Sequence, residues 1–377
     1  MTLASIDQLV ASGQLVTAAE QLETMLAQGK GTVAAYLKLA GLRRALKQPH
    51  RALEAVHQAL VLAPLDFVAL TMRAGLLERL GEAGAAEAWA EAIAQKPQGA
   101  LPPPLAAAIE AGVRFHDSWT IAREARLAAA ASAARARADA DEVGRIARFS
   151  SNILRRTRTY HSEPTHFAFP GLVEREFHPR SQFPWLAALE SETAAIRQEA
   201  LGLLQSDAAS EPYIQYADHE ALAQWRPLNR NRDWSALHLL RHGEPVAAHA
   251  QRAPRTMAAL QSLGQRRVPG TSPNAMFSLL APRTAIPPHV GVDNTRLVCH
   301  LPLVVPDRCW FRVGSEKRLW REGEALVFDD TIEHEACNPS DRLRIVLIFD
   351  VWHPGLSPVE REAVAAMIAG EGAPTQL

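Results

Sequence analysis

The sequence predicts an α+β chain in two parts: a helical N-terminal region, then a domain of short antiparallel strands forming a sandwich or jelly roll. Two observations carry this. As far as about Arg156 the chain is rich in Ala and Leu at helical spacing. From about Pro212 it breaks into short β-branched runs separated by Pro and Gly turns, among them Met276 to Leu280, Thr295 to Val305, Trp310 to Val313 and Arg344 to Phe349. Two histidines, His289 in Pro287-Pro288-His289-Val290-Gly291 and His334 in Ile332-Glu333-His334-Glu335, stand at strand ends, placed to converge at the mouth of such a barrel.

With 377 residues there is room for two or three domains, each with its own core. Lys plus Arg (40) nearly balances Asp plus Glu (41), so no global charge draws the chain to nucleic acid or anionic lipid. Three cysteines, Cys299, Cys309 and Cys337, fall in no Cys-x-x-Cys pattern, which argues for a reducing compartment. The first residues lack the basic and apolar regions of a signal peptide, and no stretch approaches the ~20 apolar residues of a membrane span. The expectation is a soluble, cytoplasmic protein.

In chain order, residues 1–100 repeat with a period of 34. Gly13, Lys47 and Gly81 obey it, as do Ala18, Ala52 and Ala86, and Leu22, Val56 and Ala90. Ala40-Gly41 recurs as Ala74-Gly75, and Pro64 and Pro97 close successive units. Small residues at helix crossings, a turn in mid-unit and a terminal Pro resemble tetratricopeptide repeats. Leu101-Pro102-Pro103-Pro104 then breaks the helix. Residues 101–160 form a helical extension. Its arginines from Arg123 to Arg148 alternate with Glu124, Asp139, Asp141 and Glu142, the pattern of a solvated face. The strand domain takes 161–377, entered through an aromatic, Pro-rich segment. A single amphipathic helix over Trp185 to Leu204 buttresses its sheet.

Paired imidazoles on a β scaffold suit Fe, Zn, Cu or Ni. Three readings compete: histidines that only satisfy local hydrogen bonds; a zinc hydrolase, which needs a third ligand and a general base; and a non-haem Fe(II) oxygenase with open positions for 2-oxoglutarate and O2. The last requires a buried cation for the distal carboxylate of 2-oxoglutarate. Arg344, opening a strand ten residues past His334, stands where that cation is wanted. With Arg344, the third reading leads.

Here a family resemblance enters. Ser278, the segments His289-Val290-Gly291 to His300-Leu301 and Gly323-Glu324-Ala325 to Glu333-His334-Glu335, and Arg344 to Pro354 resemble the aspartyl/asparaginyl β-hydroxylases. The likeness runs from near Phe169 to near Pro358, about half the chain, and helical repeats precede the domain in the family's animal members. It implies a double-stranded β-helix (jelly-roll, cupin-like) domain with His289 and His334 as iron ligands. It further implies Arg344 and Ser278 at the distal carboxylate of 2-oxoglutarate, His300 at its other end, and Arg296 against an acidic substrate side chain. A family arginine that helps hold the cosubstrate falls at Val298, so that contact is absent. The implied reaction couples decarboxylation of 2-oxoglutarate to succinate and CO2 with hydroxylation of a C–H bond. The target is the β-carbon of Asp or Asn in a peptide or protein, recruited through the repeats. The alternatives are a free amino acid or other small molecule, or a non-catalytic repeat scaffold with a degenerate barrel.

The metal site departs from the usual two-His, one-carboxylate pattern, because Gly291 stands where an acid is expected. The β-hydroxylases share this, with water taking the carboxylate's place, whereas the lipid A hydroxylases of the superfamily have His-x-Asp there. Asp293 offers an acid two residues on, but displaced ~6–7 Å along the strand. Asp329, Asp330, Glu333 and Glu335 are candidates for orienting the His334 ring. Trp225 to Trp234, with Arg226, Arg230 and Arg232, is a candidate substrate-facing loop. His238 and His242 are weak metal candidates, Cys299 and Cys309 read as core residues, and Trp352-His353-Pro354 reads as packing.

Overall fold

The computed structural model describes residues 3–29, 31–205, 210–217, 219–220 and 223–371. The chain divides into two compact units, 1–137 and 138–377, each described by itself.

The first unit is three helical hairpins and a long closing helix: α1 (Leu3–Ala11), α2 (Leu15–Ala27), α3 (Val33–Ala45), α4 (Pro49–Leu62), α5 (Phe67–Leu80), α6 (Ala85–Ala94) and α7 (Pro103–Arg135). The physical basis of the 34-residue period is now visible. Gly13, Lys47 and Gly81 are the left-handed turn residues of the three hairpins, at φ 76°, 58° and 71°. Ala18, Ala52 and Ala86, at most 1% exposed, let the second helix of each hairpin approach its neighbours. Thr32 and Asp66, also 34 apart, cap α3 and α5 by accepting from the backbone N–H groups of Ala35 and Ala69. The unit is tetratricopeptide-like. Gly112 brings α7 against the Trp89 ring, where a Cβ would collide.

The second unit opens with α8 (Ala140–Ile153), started by a reciprocal capping box between Asp139 and Glu142. The single helix expected over 185–204 is two, α9 (Leu186–Ser191) and α10 (Thr193–Gln205). The Thr193 hydroxyl donates to the Glu190 carbonyl at 2.6 Å, taking up a carbonyl at the end of α9. Then follow β1 (Glu211–Pro212), β2 (Trp234–Arg241), β3 (Glu244–Pro245), α11 (Ala247–Ala250), α12 (Pro254–Ser262), β4 (Ala275–Leu280), β5 (Thr284–His289), β6 (Arg296–Val304), β7 (Trp310–Val313), β8 (Glu316–Leu319), β9 (Leu326–Phe328), β10 (His334–Asn338), β11 (Arg344–Trp352) and α13 (Pro358–Glu371). Among the described residues no helix is long and apolar enough to cross a membrane.

All pairings between these strands are antiparallel. One sheet has the order β1-β2-β4-β11-β6-β9, with β3 on β2; the other is β5-β10-β7-β8. From β4 onward the chain alternates between the two sheets, apart from the β7–β8 hairpin within the smaller one, and this is the double-stranded β-helix. The larger sheet is covered on both faces. Leu237, Phe277, Leu301 and Leu347 pack outward against Leu189, Ile196 and Leu203 of α9 and α10. Trp234, Leu280, Val298 and Val346 point inward to Phe311, Val313 and Ala336 of the smaller sheet. Burial on both sides explains why β4, buried at all six positions, reads as a continuous apolar run instead of an alternation.

Candidate active site

The register of β5 and β10 sets the site. His289 ends one strand and His334 begins the other, and the two are paired Cα to Cα. Their ring centroids lie 4.0 Å apart. Each ring is tied by Nδ1 to a carbonyl two residues earlier, Pro287 at 2.8 Å and Ile332 at 3.1 Å. An Nδ1–H donating to a carbonyl fixes the tautomer and leaves the Nε2 lone pair available. Burial pushes His289 down to about 3, with the neighbouring His334 adding to it, and His334 down to about 4. Both rings are therefore neutral near pH 7, as ligands must be. Trp225 lies edge-on to His289 at 5.1 Å, and Phe328 edge-on to His334 at 5.6 Å, an apolar collar around a polar pair.

Among the described residues no three His, Cys, Asp or Glu side chains gather as a metal site. A Cβ on Gly291 would stand under 3.0 Å from the Asp330 carboxylate, so the two positions compete for one space. Asp293 is committed elsewhere: Oδ2 pairs with Arg266, and Oδ1 accepts from the N–H and hydroxyl of Thr295 at 2.7 and 2.6 Å. Asp330 accepts from Arg296 Nη2 at 3.0 Å, leaving its own Oδ1 and Arg296 Nε buried without partners. Burial raises Asp330, against the pull of Arg296. Asp329 accepts from the Thr331 N–H and hydroxyl, Glu333 pairs with Arg158 and Arg312, and Glu335 pairs with Arg312.

The second centre lies deeper between the sheets. Arg344 begins β11 opposite Leu280, and Ser278 faces Val346. Arg344 is 1% exposed, and its Nη1 donates to the Ser278 carbonyl and hydroxyl at 3.3 Å each. The hydroxyl also accepts from Trp234 Nε1 at 3.3 Å. Among the described residues no carboxylate pairs with Arg344, and burial lowers it to about 9. It remains a cation at neutral pH. The Trp320 ring lies under its guanidinium at 4.9 Å. His300 sits on β6 against Phe328 and Phe311 at 4.7 and 4.9 Å, and burial, then Arg344, holds it well below its ordinary pKa. Arg296, Val298 and His300 alternate along β6 and so share its inner face. Val298 is apolar packing within the inner core.

The remaining sequence candidates fall as follows. Trp225 and Trp234 are buried beside His289, whereas Arg226 and Arg232 are exposed. Cys299 and Cys309 are buried and free. Trp352 packs under Arg266 and His353 against His178. His238 is half-buried in β2, and its carbonyl meets His249 Nδ1. Two residues with a part here, Arg266 and Trp320, gave no signal in the sequence, since neither falls in a motif and both act through partners set by strand register.

The family description "Aspartyl/Asparaginyl beta-hydroxylase" matches residues 190–354. The aspartyl/asparaginyl beta-hydroxylase of Mus musculus is 34% identical over 185 residues, covering 48% of this chain and 23% of the mouse protein. The human aspartate beta-hydroxylase domain-containing protein 2 is 36% identical over 140 residues, covering 36% of this chain and 38% of its own. This chain thus spans well under half of either relative. The ornithine lipid ester-linked acyl 2-hydroxylase of Rhizobium tropici is 31% identical over 200 residues, 52% of this chain and 67% of the relative. A family match over the whole strand core, together with a relative aligned along two thirds of its length, leaves one conclusion: the chain belongs to the aspartyl/asparaginyl β-hydroxylase family.

Proposed function

We propose that this chain is an Fe(II)- and 2-oxoglutarate-dependent oxygenase that hydroxylates the β-carbon of Asp or Asn in a peptide or protein, with release of succinate and CO2. The observation that carries the reading is Arg344, a guanidinium buried to 1% exposure with no carboxylate among the described residues to pair with it. An uncompensated buried charge is costly, and a protein retains one where a ligand supplies the counter-charge. His289 and His334 would hold the iron, since two neutral imidazoles with Nδ1 tied back are the donor set it takes. Bound iron with its cosubstrate supplies the oxygen activation and the C–H bond-breaking.

The chain's own groups bind, orient and exclude water. Arg344 presents its planar fork to the distal carboxylate, with the Ser278 hydroxyl held beside it by Trp234. His300 faces the other end, and the Trp225, Phe311 and Phe328 rings keep the site dry. Arg296 would meet an acidic or amide substrate side chain, sharing its charge with Asp330. The tetratricopeptide-like unit would recruit the protein carrying that residue. Three free cysteines suit a reducing cytoplasm. A second reading, hydroxylation of a lipid acyl chain, is favoured by the extent of the Rhizobium tropici alignment.

The test is anaerobic titration of the full chain with Fe(II) and 2-oxoglutarate, followed by oxygen with Asp- and Asn-containing peptides or with ornithine lipid. Peptide turnover with equimolar succinate is expected. Arg344→Met should weaken 2-oxoglutarate binding by roughly 100-fold while leaving iron affinity unchanged. Lipid turnover alone would select the second reading. Iron binding with no succinate from any substrate would make the domain a scaffold.

A further inference from the structure

We propose that Trp320 is a cosubstrate-binding residue whose indole N–H donates to an oxygen of the bound 2-oxoglutarate. The proposal rests on the oxygenase reading above and adds a residue to it. Trp320 follows β8, and its backbone N–H reaches the Cys309 carbonyl across the β7–β8 hairpin at 3.4 Å, so its position is set by strand pairing. The side chain is 4% exposed and stacks on Phe311 at 5.4 Å and 10°. Its Nε1 is buried with no acceptor. An indole N–H taken out of water normally finds a partner, and one left without is a loss that folding must absorb.

Two further buried nitrogens lack partners against this same ring. Arg344, whose Nε is unpartnered, has its guanidinium 4.9 Å from the ring centroid. His300, whose Nδ1 is unpartnered, has its ring 5.9 Å away. Trp320 therefore joins the residue proposed for one end of the cosubstrate to the residue proposed for the other. Three unused nitrogens, one of them on a cation, with no carboxylate among them call for an anion rich in acceptors, which a dicarboxylate is. The other tryptophan nearby shows the contrast. Trp234 spends its N–H on the Ser278 hydroxyl, so it positions a binding group, whereas the Trp320 N–H has nothing to position.

The experiment uses the full chain loaded with Zn(II) as a diamagnetic stand-in for iron and labelled with 15N at the indole nitrogens. The chain has eight tryptophans, and Trp320→Phe, which keeps a ring on Phe311, identifies the Trp320 signal. Should that variant not fold, through-space contacts from Phe311 in the unaltered chain assign the same signal. Saturating 2-oxoglutarate is expected to move the Trp320 N–H downfield while Trp89, already bonded to Glu78 in the other unit, stays in place. Trp320→Phe is expected to weaken 2-oxoglutarate binding by roughly 10- to 100-fold with Zn(II) affinity unchanged. If Arg344→Met abolishes binding but Trp320→Phe binds as tightly as the parent and the Trp320 signal does not move, the role of Trp320 is overturned and the oxygenase reading stands. If the unaltered chain binds no 2-oxoglutarate, the oxygenase reading falls and takes this proposal with it.

Discussion

Arg266 and Arg344 are buried to the same 1% exposure in the same unit, and their surroundings differ in kind. Around Arg266 the protein supplies the counter-charge. Asp293 pairs with it, the Ser272 hydroxyl accepts at 2.7 Å and in turn donates to Asp350, and the Trp352 ring lies 5.3 Å away. Around Arg344 it supplies one serine and aromatic rings. Both guanidinium groups keep a buried Nε without a partner, so the difference lies in the charge. The first has its counter-charge supplied by folding, the second has none among the described residues, and that lack is what marks a binding site. Depth of burial does not separate a structural arginine from a ligand-binding one; the presence or absence of an internal acid does.

The comparison predicts opposite signs for one substitution. Arg266→Met strands Asp293, 2% exposed, without its partner, and should cost about 3–5 kcal/mol of unfolding free energy. Arg344→Met strands no charge: it removes two long bonds to Ser278, whose hydroxyl keeps the Trp234 donor, replaces an unpaired cation by an apolar chain of similar length, and should leave stability unchanged or raise it. Urea unfolding of both variants at pH 7 decides the matter. Equal losses from the two would mean that Arg344 has a structural partner after all.

A third buried base sharpens the contrast by giving up its charge. His178 packs edge-on to His353 at 5.2 Å, and burial lowers it from 6.5 to about 4. The folded chain then binds fewer protons than the unfolded one as pH falls. Stability owed to the neutral ring is whole above pH 6.5 and is lost between 6.5 and about 4, on the order of 3 kcal/mol. His178→Phe should flatten that part of the stability–pH curve. A variant that loses as much stability as the parent between pH 7 and 4.5 would rule the group out.

How much of this was legible beforehand follows from what each residue depends on. The helical period could be read because its markers act locally: Gly13, Lys47 and Gly81 repeat as turn residues, and a turn needs only its own backbone. His289, His334 and Arg344 stood out because strand-end position is also local. The break at Glu192 did not show, since Thr193 caps α9 through a hydroxyl that fits a helix pattern equally well. Arg266 sits in Gln265-Arg266-Arg267, which looks like surface, and its burial depends on an acid 27 residues away. Trp320 is one more aromatic until the two sheets bring it against Arg344 and His300. The conflict between Gly291 and Asp330 exists only in three dimensions.

That conflict gives the smallest and most local prediction. Arg296 lies between the two extremes, holding one acid while its Nε and Asp330 Oδ1 go without partners. A methyl at position 291 must push the Asp330 carboxylate aside, and Asp330, 6% exposed and held by Arg296, has little room to yield. Gly291→Ala should therefore cost about 1–3 kcal/mol. Part of that cost should be the weakened Arg296–Asp330 pair. In an Asp330→Ala background, where the obstructing carboxylate is gone, the same methyl should cost much less, a coupling that a double-mutant cycle measures directly. Additive effects would mean that the Asp330 carboxylate already leaves that space. The pair would then be a loose surface contact, and Arg296 would belong with Arg344 as a cation whose partner comes from outside the chain.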